Sequence, residues 1–228
     1  MYGVGLQRVL EELQKRFPET PVHVFDRTAV STNTAARKLI QQWDTQTKTI
    51  LLGTEMSLTY LKNVRNISCT GIVSLDTLFS IPDFRMNERI FHLVHEMRLL
   101  SRDSCVVQTR NEDATVLAAI TKANSMLFYE TELKLRKQFF LPPYSFLIKI
   151  TRAGNLDTNR QELEKIQKLL SQYQTSIYPG FIHTINKHAI THLLIHIPQK
   201  QWPDLYVINM IRSLPPSYVI DCDPLSVL

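Results

Sequence analysis

His92, His95 and Glu96 fall within one turn of a strongly helical stretch, and two imidazoles at i,i+3 are a spacing that can hold a metal ion. No further ligand is placed by spacing, so polar positions on a helix face are the plainer reading and no metal site is expected. Gly3-Val4-Gly5 precedes a helix and superficially suggests a phosphate loop. With only six glycines in 228 residues, a flexible lead into the helix explains it better. The sequence has no GxxxxGK[ST] loop, no HExxH, no GxSxG and no paired carboxylates, so no catalytic residue is assigned. Cys69, Cys105 and Cys222 are odd in number and far apart, which excludes a disulfide framework and a CxxC zinc site and leaves three ordinary buried thiols. His192 and His196 share parity on a predicted strand, as expected of a solvated sheet face. Arg85, Glu88 and Arg89 follow Pro82 and Asp83 at i,i+3 and i,i+4 spacing. That spacing puts all three on one helix face, with Asp83 at the positive end of the helix dipole, and a capped helix with a surface ion pair is the plainer reading.

The composition must support whatever positions these groups. Hydrophobic residues make up 44% of the chain, enough for a packed core, and the net charge is +5. That excess permits an acidic partner such as nucleic acid without the strong bias of a histone-like protein. No apolar run approaches the roughly 20 residues of a membrane span. No basic-then-apolar leader opens the sequence, so a cytoplasmic protein is expected.

Hydrophobic periodicity then gives the elements. Residues 6–17 and 33–44 read as amphipathic helices, the second capped by Asn33 or Thr34. Segments 22–25, 49–54, 69–76 and 104–109 read as strands, 49–54 apolar enough to be buried on both faces. A long helix runs from Pro82 to about Leu100. Alternation of strand and helix predicts a parallel sheet covered on both sides. Two helical stretches fill 111–140, and the Pro-Pro punctuation of FFLPPYS (139–145) marks the domain boundary. Beyond it the order is strand 145–151, helix 156–173, strands 177–185 and 191–197, helix 203–214 and strand 218–223, a βαββαβ pattern.

Several segments, read in order, resemble one family. GLQRVLEELQKRFP (5–18), Phe25-Asp26-Arg27, TILLGTEM (49–56), GIVSLDTLFSIPDFRMNERIF (71–91), FYETELKLRKQFFLPPYS (128–145) and IDCDPLSVL (220–228) are similar, in register, to the C-terminal half of the primosomal protein N′ family of replication-restart DNA helicases. TILLGTEM resembles the start of helicase motif V, usually ILxGTQM, and PDFRMNER the family's LPDFRAxERxF. The resemblance implies an α/β protein: a RecA-like parallel-sheet second helicase lobe over 1–110, a helical connector over 111–143 and a small ferredoxin-like (βαββαβ) α+β domain over 144–228. The family's ATP and Mg site, its zinc-binding insertion and its N-terminal DNA-binding domain have no counterpart in these residues, so no cofactor is expected in this chain.

The departures fall on the motor motifs. After Met56 the family's Lys-Gly-His-Asp element is missing. The stretch HEMRLLSRD (95–103) stands where motif VI, QxxGRAGR, would supply arginines to the ATP phosphates. Both glycines are gone, and in ungapped register the arginine positions fall on Leu100 and Asp103. Arg98 and Arg102 lie one or two residues out of phase, about 100° each on a helix. The basic aromatic turn of the family's last domain is replaced by NKHAITH (186–192), with Lys187 its reliable charge. The resemblance therefore implies Thr54, Arg85, Arg89 and Lys187 as DNA-contacting candidates and Arg98 and Arg102 as nucleotide-contacting ones. It implies a DNA-binding component of the replication-restart primosome, derived or split from an ATP-dependent 3′-5′ helicase and inactive as a motor alone. The expected partners are branched or single-stranded DNA, single-strand binding protein and a separate first-lobe subunit. The competing readings are a non-enzymatic adaptor for single-strand binding protein or other primosome partners, and a vestigial product that folds without a function.

Overall fold

The computed structural model describes residues 5–64, 66–111, 115–122, 124–185 and 188–228, with the backbone alone for 182–185. The fold is mixed α/β and divides into two compact units. The first comprises the residues up to Ile81 together with Met86–Ser125, and the second Pro82–Arg85 with Met126–Leu228.

In the first unit, helix α1 (Leu6–Arg16) ends one residue before Phe17-Pro18, with Lys15 and Arg16 in its last turn where the dipole favours cations. Strand β1 (Val22–Phe25) pairs in parallel with β2 (Ile50–Gly53), Val22 opposite Ile50 and Phe25 opposite Gly53. Between them runs α2 (Asn33–Asp44). Its cap is Thr32, whose hydroxyl accepts from the Ala35 amide at 3.2 Å, one residue before the expected Asn33. The helix buries Ala36 and Ile40 against Phe25, Val30, Leu58, Leu61 and Ile67. Leu58 and Leu61 come from the short α3 (Leu58–Leu61). β2 is half-buried over Ile50, Leu51 and Leu52 and exposed at Gly53, so its apolar run is not buried on both faces as expected. β3 (Ile67–Ile72) pairs in parallel with β4 (Ser101–Val107), which begins where the long α5 (Met86–Leu100) ends. The expected parallel pairing is present, distributed over two two-stranded sheets. α4 (Asp76–Phe79) and α6 (Thr115–Thr121) complete this unit.

The second unit gains α7 (Ser125–Gln138) from Met126 on, so the two helices expected as a connector are divided between units. Its element order is the expected βαββαβ: β5 (Ser145–Gly154), α8 (Leu156–Leu169), β6 (Gln174–Ile185), β7 (His188–Pro198), α9 (Leu205–Arg212) and β8 (Tyr218–Cys222). The four strands form one antiparallel sheet in the order β6-β7-β5-β8. The Asn155 side chain caps α8 by accepting from the Asp157 and Thr158 amides, and Asp204 caps α9. One sheet face presents Ile148, Ile150, Leu193, Ile195 and Ile197 to Leu163, Ile166, Val207 and Ile211 of the helices, and Trp202 stacks on Phe146 with ring centroids 3.9 Å apart.

The opposite face was expected to be solvated, and it is not. His192 and His196 are buried there beside Leu147 and Leu194. Segments remote in sequence cover them. The Phe140 carbonyl meets His196 Nδ1 at 2.9 Å. Lys149 Nζ donates to the carbonyls of Ser226 and Leu228 at 2.7 and 3.1 Å, and the Tyr178 hydroxyl to that of Val227 at 2.5 Å. Strand parity reports which residues share a face, and it carries no information about what lies on that face. The cysteines also depart from expectation: Cys69 and Cys222 are exposed and Cys105 is half-exposed.

Candidate nucleic-acid interface

β1 and β2 run in parallel and end side by side, so both following loops leave from the same edge. In open α/β sheets, ligands bind outside the carboxyl ends of the strands. Here that edge carries an open cleft of about 660 Å³, lined by Arg27, Thr28, Thr54, Met56, Thr59 and Arg89 with two carboxylates, Asp26 and Glu55.

The loops are fixed by short-range bonds. The Asp26 carboxylate accepts from the Thr28 hydroxyl at 2.6 Å, the Ala29 amide at 2.7 Å and the Thr28 amide at 3.0 Å. Those bonds, the Thr28 hydroxyl foremost, hold its pKa below the usual carboxylate value. Arg27 stands exposed on this turn and forms no ion pair among the described residues. In the neighbouring loop the Thr54 amide donates to the Phe25 carbonyl at 3.2 Å, which ties the loop to β1. Gly53 permits that approach, since a Cβ there would stand 3.1 Å from the Phe25 carbonyl oxygen and 3.1 Å from Ser57 Oγ. The buried Ser57 hydroxyl donates to the Thr54 carbonyl at 2.9 Å. Arg89 enters from the first turns of α5 and its Nη2 lies 2.7 Å from Glu55 Oε2.

The cleft thus gathers two of the residues assigned from sequence, Thr54 and Arg89. Arg85 is elsewhere. α5 begins at Met86, so Arg85 precedes the helix and does not share a helical face with Arg89. It belongs to the second unit, half-buried over the Phe84 ring at 5.2 Å and 3.9 Å from Asp223. Asp83 likewise serves the second unit: its carboxylate accepts from the Ser226 hydroxyl, from the Val227 amide at 3.2 Å and from the Arg85 amide at 2.9 Å. Lys187 lies outside the described residues. Arg98, on α5, donates to the Ile120 carbonyl at 3.3 Å. Arg102 lies on β4, where helical phase does not apply, and grips Asp103 through two bonds of 2.9 and 3.0 Å. His92 faces Glu88 at 3.9 Å, His95 stacks on Phe91, and no group of three ligating side chains occurs among the described residues.

Arg27, Thr59 and Glu55 had not been singled out as site residues. The signal for Arg27 was its position two residues beyond the end of β1, at the same edge as Thr54. Among the described residues no helix is long and apolar enough to cross a membrane.

No family model matches the chain. Curated relatives do. It is 27% identical over 245 aligned residues to the replication restart protein PriA of Synechocystis, an alignment that covers 99% of this chain and 29% of the relative. The PriA of Bacillus subtilis is 31% identical over 155 residues, 66% of this chain and 19% of the relative. That of Thermotoga maritima is 28% identical over 173 residues, 73% of this chain and 23% of the relative. The chain thus spans between about a fifth and under a third of the length of these relatives. One protein recurs among these relatives and the alignment runs almost from end to end of this sequence, so the chain is similar over nearly its whole length to the C-terminal part of replication restart protein PriA.

Proposed function

We propose that this chain binds DNA in the setting of replication restart, through the cleft at the ends of β1 and β2, and is not a motor by itself. The observation that carries the reading is the convergence of Thr54, Arg27 and Arg89 on one open edge of a parallel strand pair. An exposed guanidinium on a fixed turn is suited to a phosphate, and hydroxyls beside it add donors. The reading of a non-motor is supported by Arg98 and Arg102, which are engaged with Ile120 and Asp103 and not offered to a nucleotide. Branched or single-stranded DNA is the proposed ligand.

The test is fluorescence anisotropy with forked, single-stranded and duplex DNA at about 50 and 200 mM salt, wild type beside Arg27→Ala. Each phosphate contact contributes about 0.7–0.9 to the slope of log affinity against log salt. Arg27→Ala should weaken binding and flatten that slope by about one such contact. Binding indifferent to Arg27, or none at all, would remove the cleft from consideration. DNA-stimulated ATP hydrolysis by the purified chain would refute the non-motor reading.

A second reading, an adaptor for single-strand binding protein, another primosome partner or a separate first-lobe subunit, is favoured by α7. Met126, Tyr129 and Leu133 expose an apolar stripe along that helix. Capture of single-strand binding protein by a chain inert toward DNA would favour it over the first.

A further inference from the structure

Two arginines and two carboxylates line the cleft, so its formal charge is zero. The carboxylates are not equivalent. Asp26 is consumed by its own turn, where three bonds from Thr28 and Ala29 make it a structural group. Glu55 holds no turn. It leads the short 3₁₀ turn after Thr54 and reaches across to Arg89 at 2.7 Å. Both partners are about half exposed, with 46% of the Glu55 side chain and 51% of the Arg89 side chain open to solvent. Ion pairs of that exposure are weak and exchange readily. The Nη2 donor of Arg89 that a phosphate oxygen would seek is thus one that Glu55 already occupies, and in this pair the carboxylate stands in for that oxygen.

We infer that Glu55 is a built-in restraint on this cleft: its carboxylate competes with the DNA phosphate for Arg89 and lowers both affinity and salt dependence. The inference rests on the reading of the cleft as a DNA site. When a phosphate displaces Glu55 from Arg89, the carboxylate remains a few ångströms from the new anion, well inside the screening length of about 10 Å at 0.1 M salt. The exchange swaps one ion pair for another and adds a repulsion. Replacing the carboxylate by an amide of the same shape removes the competitor and the repulsion together, and the cleft becomes net positive.

The experiment is anisotropy with single-stranded DNA across a salt series for the full chain as wild type, Glu55→Gln, Arg89→Ala, the double variant and Arg27→Ala. Unfolding midpoints serve as fold controls, and Arg89→Gln repeats the arginine arm with less loss of packing. Glu55→Gln should bind about three- to tenfold more tightly at about 50 mM salt, with a slope steeper by about 0.7, one phosphate contact on a single strand. Arg89→Ala should cost more in the Glu55→Gln background than in wild type, the non-additivity that marks a shared interaction. If Arg27→Ala weakens binding while Glu55→Gln changes nothing, the restraint is overturned and the DNA site stands. If Glu55→Gln tightens binding equally with and without Arg89, competition for Arg89 is overturned. If no variant binds DNA and wild type does not either, the DNA reading itself fails.

Discussion

His192 gives the second unit a dependence on pH that its strand position alone would not suggest. It lies on β7 with 5% of its surface exposed, and its Nδ1 is 2.8 Å from the Thr151 hydroxyl. Burial first, and then the ammonium group of Lys149, push its pKa down to about 4. In an unfolded chain a histidine titrates near 6.5. Between those values the unfolded chain binds a proton that the native chain does not. Stability is therefore complete above about pH 6.5, is lost as pH falls, and stops falling below about pH 4. At about 1.4 kcal/mol per pH unit the full loss is about 3 kcal/mol, of which about 1 kcal/mol is already gone near pH 5.5. Most carboxylates titrate nearer pH 4 in the unfolded chain, so the upper part of this window belongs to histidine. The assay uses the two tryptophans. Trp43 is in the first unit and Trp202 in the second, so Trp43→Phe leaves fluorescence reporting the second unit alone. Urea midpoints in that background should fall between about pH 7 and pH 5, and His192→Gln should flatten the fall whatever it does to stability at pH 7. An imidazole resonance of His192 titrating near pH 6.5, or a slope unchanged by His192→Gln, would refute the reasoning.

Three further outcomes concern buried bonds and a helix cap. Asp83→Ala removes the acceptor for the Ser226 hydroxyl and the Val227 amide, and should cost about 1–3 kcal/mol; amide exchange should accelerate at Val227 while the β5–β8 pairs keep their protection. Arg136→Ala leaves Glu132 buried, its side chain 8% exposed, without the guanidinium 2.9 Å away. The expected loss is about 3–5 kcal/mol in urea unfolding, against under 1 kcal/mol for the exposed pair broken by Arg160→Ala. Asn155→Ala removes the cap of α8 and should lower stability by about 1 kcal/mol, read as a lower midpoint with an unchanged denaturant slope.

What was legible in the sequence was local. VHVF is a short β-branched and aromatic run flanked by Pro21 and Asp26, so β1 was placed residue for residue. The βαββαβ order of the second unit followed from period and punctuation alone. What failed depended on distant partners. His192 and His196 read as solvated because Phe140 and residues 226–228, which cover them, are remote in the chain. Arg85 and Arg89 read as one face because the spacing suited a helix, yet the helix starts between them and the chain turns Arg85 toward Asp223. At the cleft, Thr54 and Arg89 were found through motif resemblance. Arg27 and Glu55 were not, because two strand ends meet only once β1 and β2 are known to be parallel and in register.

The four residues Pro82–Arg85 have a consequence for dissection. They lie between two stretches of the first unit and pack with the second, with Asp83 bonded to residues 143 and 144 positions further on. No single cut therefore yields both units intact. A fragment starting at Met126 would carry an empty seat where Phe84, 5.5 Å from the Arg136 guanidinium, belongs. The boundary between the units is a braid in the chain, and recombination or proteolysis at one point would leave the second unit short of a piece held by the first.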